Sequence, residues 1–168
     1  SGCGVTAFLS TQHEGVCRRL FDAGHPAAQS AIQGEEWYGV CFAHLRRDPS
    51  PVSAIRNRHH VVFSGRGPWF SGHGLMTKVL VGGATESGEF LMGIASVDEP
   101  EIVPRRLDSL VVMEATATVA LDFNALQITN QDIVVKIDAT VLAEKDVHST
   151  VFQSARSLGA ARAASRFL

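Results

Sequence analysis

The sequence has little from which to build a covalent or strongly charged framework. Cysteine occurs three times in 168 residues, at Cys3, Cys17 and Cys41, widely spaced and with no CxxC pair. An odd and scattered set argues against a disulfide framework or a structural zinc site, and makes a reducing cytoplasm the default compartment. An excess of one charge is also missing. Fifteen Lys and Arg stand against 17 Asp and Glu, a net charge of −2 with the seven histidines neutral, which leaves no basic footprint for nucleic acid. No apolar run is long enough to cross a membrane, and no basic start followed by an apolar core marks a secretory signal. The histidines show neither HExxH nor HxH spacing, and His59-His60, expected in a strand, would send its rings to opposite faces, so no metal site is expected. GxGxxG between a strand and a helix is absent, as is GxxxxGK[ST], which removes the usual phosphate-cradling loops.

The remaining pattern is legible. Val5, Phe8, Leu9, Val16, Leu20 and Phe21 recur at helical spacing and predict a buried helix that stops at Gly24, with a short helix after Pro26. From Gly34 the texture becomes that of strands. "EWYGVCFAHL" reads as a buried strand, "RRDPSP" as a loop, and "SAIRNRHHVVFSG" as a strand ending at Gly65. "LMTKVLVGGAT" and "EFLMGIASV", split by "ESG", predict a hairpin. "EIVPRRL" follows, and then a strand in which Thr116, Thr118, Ala120 and Asp122 alternate with Ala117, Val119, Leu121 and Phe123. From about Asp138 alanine, leucine and arginine make the chain helical again. Six or seven strands grouped between helices predict an α+β domain rather than alternating βαβ units. The start at Ser1 and the stop at Arg166-Phe167-Leu168, inside a helical pattern, suggest part of a longer polypeptide or half of an assembly.

One stretch stands out. "GRGPWFSGHG", residues 65–74, places one of only two tryptophans among four glycines. "GRG" alone reads as a hairpin turn, and Trp69 as either a core plug at that turn or a wall for a flat ligand. Ser71 lacks both the preceding glycine and the following helix of a nucleophile elbow. Cys17 and Cys41 sit in apolar contexts that suit structural burial. His44, Arg46 and Arg47 form either a solvated basic turn or a clamp for phosphate, whose oxygens match guanidinium forks.

In order, "FLSTQHEGVCRRLFDAGHP", "GVCFAHLRRDPSPVSAIR", "VVFSGRGPWFSGHGLMTKVLVGGAT" and "ATATVALDFNALQITNQDIV" resemble the acyl-CoA dehydrogenase superfamily. Gly65, Trp69 and Ser71 match the glycine, tryptophan and [ST] of its β-domain signature, and Thr116, Val119, Phe123, Leu126 and Ile128 match a later strand. The resemblance implies a small antiparallel β-barrel or sheet flanked by helices. Residues 1–34 would end an N-terminal helical domain, 35–137 would form the central β-domain, and 138–168 would begin a helical bundle. It implies FAD as cofactor, with Trp69 as wall, Ser71 as hydrogen-bond partner, and Phe42, Ala43 and His44 beside the flavin. An acyl-CoA or other acyl thioester would be the partner, met by Ser50, Arg46 and Arg47, in a homo-oligomer (dimer or tetramer) or with a complementing subunit. The implied reaction is α,β-dehydrogenation of the thioester. The same scaffold also serves flavin monooxygenases, and a non-catalytic relative is a third reading.

Two departures stand beside the resemblance. The family's Thr-Glu-Pro-Gly-x-Gly-Ser loop is replaced here by "AHLRRDPSP", in which Ser50 alone keeps the serine. No catalytic base is assigned either. Ser149 falls near the position where one branch carries its glutamate, and Glu144 and Asp146 lie upstream.

Overall fold

The computed structural model describes residues 3–108 and 113–142, together with Gly159, Arg162 and Ser165. Helix α1 spans Gly4–Asp22 and buries Leu9, Val16 and Leu20 along one stripe. Phe8 and Phe21, expected in the core, are 40% and 69% exposed. Each follows or precedes a buried leucine by one residue, which turns it about 100° off the stripe. The chain leaves α1 through Gly24 at φ 62, and His25 N–H bonds back to the Leu20 carbonyl at 2.9 Å. The short α2 covers Ala28–Ile32.

Among the described residues eight strands follow: β1 Tyr38–Cys41, β2 Val52–Arg56, β3 His60–Phe70, β4 Lys78–Ala84, β5 Glu89–Ser96, β6 Ile102–Arg106, β7 Val119–Thr129 and β8 Ile133–Asp138. Their order is β6-β7-β3-β2-β4-β5-β8, with β1 also on β4. The α+β expectation holds, and the sheet follows an open path. It is mixed rather than wholly antiparallel, because β1 and β2 both run parallel to β4. With β5 paired along all of β4, β1 takes the opposite edge at residues 78–81 and β2 meets it at Ala84. β4 is paired on both edges and buried on both faces, with Val79 and Val81 in one part of the core and Leu80 in the other, which matches its unbroken apolar run from Val79.

Three elements depart from the expectations, each for a local reason. "SAIRNRHHVVFSG" is a hairpin and not one strand. Asn57 N–H bonds to the His60 carbonyl at 2.8 Å, which closes a turn that holds His59 and uses neither glycine nor proline. The strand expected to include Thr116, Ala117 and Thr118 begins at Val119, because Glu114–Thr116 forms a 3-10 turn between Met113 and Ala117, both left-handed. Within β7 the period-two pattern slips once, where Asn124 and Ala125 oppose the single residue Ser64 of β3. That bulge keeps Leu121, Phe123, Leu126 and Ile128 all buried. The "ESG" hairpin of β4 and β5 is present, with Gly88 at φ 80.

The core has two parts. Val52, Phe63, Phe70, Val79, Val81, Leu91, Leu121, Phe123 and Leu126 pack within the sheet, joined by Leu9 of α1. Val16, Leu20, Ala31, Tyr38, Leu45, Leu80 and Met92 form the layer between the helices and the sheet. Residues 139–142 are helical. The rest of the expected bundle start, including Glu144, Asp146 and Ser149, lies outside the described residues apart from Gly159, Arg162 and Ser165.

Candidate functional site

The GRG at the start of the glycine-rich stretch is strand, not turn, and the chain turns only after Phe70, at Gly72 and Gly74. Gly65-Arg66-Gly67 lies inside β3, and the glycines serve close approach. Gly65 sits at φ 125, and a Cβ there would run into the Pro51 carbonyl oxygen. A Cβ at Gly67 would strike the Cys41 sulfur and lie 3.1 Å from the Phe123 ring. Cys41 is fully buried, and the loss of solvent pushes its thiol up to about 12. Beyond Gly67 the β3–β7 register breaks and resumes only at Phe70 and Val119. Pro68, which has no N–H to give, occupies the gap.

This break sends Trp69 outward. It is 45% exposed, which removes the core-plug reading, while Phe70 beside it is wholly buried. The Arg47 guanidinium lies over the Trp69 ring, 4.9 Å from its centroid. Arg47 is positioned by a 3-10 helix over Ala43–Arg46 that follows β1, and its N–H bonds to the His44 carbonyl at 2.9 Å. Ala43, Arg46 and Arg47 are exposed, and Phe42 is half-buried beneath the Arg19 guanidinium at 5.2 Å. β1 and β3 thus bring one flat aromatic face and an arginine of the adjoining loop together.

His44 and Ser50 are used differently from the expectation. The His44 ring is 1% exposed and its Nε2 donates to the Gly82 carbonyl at 2.8 Å. Burial lowers its pKa, and the Arg47 charge adds to that effect, so the ring is a neutral anchor and is not available to a ligand. Ser50 donates to the Val52 carbonyl at 3.1 Å and shapes the entry to β2.

Ser71, two residues after Trp69, is 7% exposed. Its Oγ lies 2.7 Å from Thr118 Oγ1, which lies 2.7 Å from Thr116 Oγ1, and Thr116 donates to the Met113 carbonyl at 2.8 Å. The backbone locks the same corner, with Gly72 N–H on the Thr116 carbonyl at 2.7 Å. Nothing local in the sequence joins Ser71 to a threonine 47 positions away. The legible signal was the TAT triplet, which puts Thr116 and Thr118 on one side of the chain.

Two other polar clusters escaped the sequence reading. In α1, His13 Nε2 lies 3.4 Å from the Cys17 sulfur, an i, i+4 pair. Tyr38 N–H donates to His13 Nδ1 at 3.2 Å, so Nε2 keeps its proton and cannot take one from the thiol. Burial meanwhile raises the Cys17 pKa, so this is not an activated nucleophile. A cleft of about 430 Å³ is bordered by His25, Glu36, Tyr38, Lys78 and Asp132. Its polar groups are largely satisfied by one another. His25 Nδ1 accepts from Ala27 N–H at 3.1 Å while Nε2 meets Asp132 Oδ1 at 3.3 Å, and Tyr38 donates to Glu36 at 2.6 Å. The His25–Asp132 contact ties the α1–α2 turn to the β7–β8 turn. Among the described residues no helix is long and apolar enough to cross a membrane.

No protein-family model and no curated protein matches the sequence. Solved structures do match its fold. FkbI, for biosynthesis of the methoxymalonyl extender unit of the Fk520 polyketide immunosuppressant, aligns with a TM-score of 0.66 at 14% identity, over 79% of this chain and 40% of its own. Glutaryl-CoA dehydrogenase from Mycobacterium smegmatis, in complex with FADH2, aligns with a TM-score of 0.61 at 11% identity, over 73% of this chain and 34% of its own. The HsaA monooxygenase from M. tuberculosis aligns with a TM-score of 0.61 at 16% identity, over 80% of this chain and 34% of its own. The chain therefore has the acyl-CoA dehydrogenase fold and spans 34–40% of the length of these three relatives.

Proposed function

We propose that the chain is the FAD-binding β-domain region of an acyl-CoA dehydrogenase-like oxidoreductase. The supporting observation is the half-exposed Trp69 ring, with the Arg47 guanidinium over it and the Ser71 hydroxyl two residues on. The groups present fit a flavin nucleotide. A flat ring needs an apolar wall, its pyrophosphate needs a fixed cation, and both stand on neighbouring rigid elements. Trp69 would flank the ring, Ser71 would meet its polar edge, and the backbone of Phe42, Ala43 and His44 would border it. Arg46 and Arg47 would hold a phosphate of FAD or of coenzyme A.

The reaction is oxidation of a saturated acyl thioester to the 2-enoyl thioester. Two electrons and two protons leave the substrate, and FAD, when bound, is the two-electron acceptor. The domain boundaries that go with this reading are 1–34, 35–137 and 138–168. An oligomer or a complementing subunit would cover the exposed Phe21, Ile32 and Leu75, since large exposed apolar residues in number mark an interaction surface. A monooxygenase on the same scaffold is the second reading, favoured by the match to HsaA and by the altered Ala43–Pro51 loop. Anaerobic mixing of the flavin-loaded protein with acyl thioesters separates the two. Bleaching of the flavin by thioester alone supports dehydrogenation, and turnover only with a separate reductant and oxygen supports the monooxygenase. A protein that takes up no flavin contradicts both.

A further inference from the structure

The hydroxyl chain at Ser71 has a fixed direction. A threonine hydroxyl carries one proton. The Thr116 proton is committed to the Met113 carbonyl, which can only accept. Thr118, 2.7 Å away, must then donate to Thr116 and not the reverse. With the Thr118 proton committed, the 2.7 Å bond to Ser71 is donated by Ser71. The relay runs Ser71 to Thr118 to Thr116 to the Met113 carbonyl, and the three short bonds polarise one another. Ser71 is left with lone pairs only.

We propose that Ser71 is an acceptor-only contact, and that it sets which oxidation state of a flavin this site prefers. The proposal rests on the flavin reading above. The polar edge of an oxidised isoalloxazine is mostly acceptors, with a single N–H, whereas the reduced ring gains N–H donors. An acceptor-only hydroxyl repels the first pattern and bonds the second. Ser71 therefore favours reduced flavin, and does so through Thr118 and Thr116, which touch no ligand and act as positioning residues.

Two measurements test this. In flavin-free protein, NMR of the slowly exchanging hydroxyl protons should place the Thr118 proton against Thr116 and the Ser71 proton against Thr118. The opposite order overturns the proposal without any ligand. The second measurement is the ratio of dissociation constants for FAD and FADH2, in the wild type and in Thr118→Val, Thr116→Val and Ser71→Ala. Thr118→Val frees the Ser71 proton and should shift the ratio toward oxidised FAD by about tenfold, one neutral hydrogen bond gained or lost. For a two-electron couple that is about 30 mV in the potential of the bound flavin. Ser71→Ala should abolish the preference without reversing it. Thr116→Val, which leaves Thr118 without its acceptor, should fall between the two. Equal ratios in wild type and Thr118→Val, with flavin bound in both, overturn this inference alone. Failure of the wild type to bind either form overturns the flavin reading together with it.

Discussion

Replacing Trp69 with alanine separates a ligand wall from a structural residue, because the two roles predict opposite ratios of affinity loss to stability loss. Trp69 keeps 45% of its surface open, on the order of 110 Å² of the ~250 Å² that a large aromatic can bury. A flat ring covering about half of that removes ~55 Å² from water, about 1.4 kcal/mol at ~25 cal/mol/Å². Offset stacking adds about 0.5–1.5 kcal/mol. The sum, about 2–3 kcal/mol, corresponds to a loss of about 30- to 150-fold in FAD affinity. On the folding side Trp69 contributes mainly its exposed contact with Arg47 at 4.9 Å, about 0.5–1 kcal/mol. Phe63→Ala is the contrasting case. Its ring is wholly buried, so truncation costs about 3–5 kcal/mol of stability. The assay is a flavin fluorescence titration beside a urea melt on each variant. Trp69→Ala protein that melts like wild type and binds FAD within about threefold of it refutes the reasoning.

Four further outcomes are expected. Arg46→Ala or Arg47→Ala should weaken FAD or acyl-CoA binding about tenfold or more, the loss of one charge-assisted contact, and titration of both ligands into both variants checks it. Gly67→Ala should destabilise the fold strongly, because its Cβ meets the Cys41 sulfur and the Phe123 ring; a melt unchanged from wild type would contradict it. Asp122 pairs with Arg66 at 2.5 Å and with Arg105 at 2.8 Å, and these hydrogen bonds hold its carboxyl near about 2. That stability is present above the unfolded value near 3.8 and is lost as pH falls toward about 2. Both guanidiniums are more than half exposed, so Asp122→Asn should cost only about 1 kcal/mol and flatten acid melts in that window. For His44, burial lowers the folded pKa, so the unfolded chain binds the proton more readily. Stability is then full above about pH 6.5 and declines as pH falls below it, and His44→Gln should lack that decline in urea melts across the range.

The sequence exposed what depends on periodicity and concealed what depends on distance along the chain. Apolar spacing located α1, and Glu86-Ser87-Gly88 located the β4–β5 hairpin, since both signals lie within a few residues. The β2–β3 hairpin escaped because Asn57 closes it with neither glycine nor proline. Gly65 and Gly67 were misread because a missing Cβ serves a turn and a close approach equally, and only the positions of Pro51 and Cys41 decide between them. Trp69 and Ser71 stood out in the sequence as candidate residues. The inward turn of His44 onto Gly82 and the link from Ser71 to Thr118 did not, because each joins residues about 40 positions apart or more. The parallel placement of β1 and β2 on β4 is hidden for the same reason.

The central claim is that the Trp69 corner holds a flavin. Titration of FAD into the purified 168-residue chain, followed by gel filtration and an absorbance scan of the protein peak, tests it most directly. The protein peak should carry the blue absorption band of oxidised flavin near one equivalent, and should lose it in Trp69→Ala. A folded wild-type peak with no visible band at saturating FAD would contradict it.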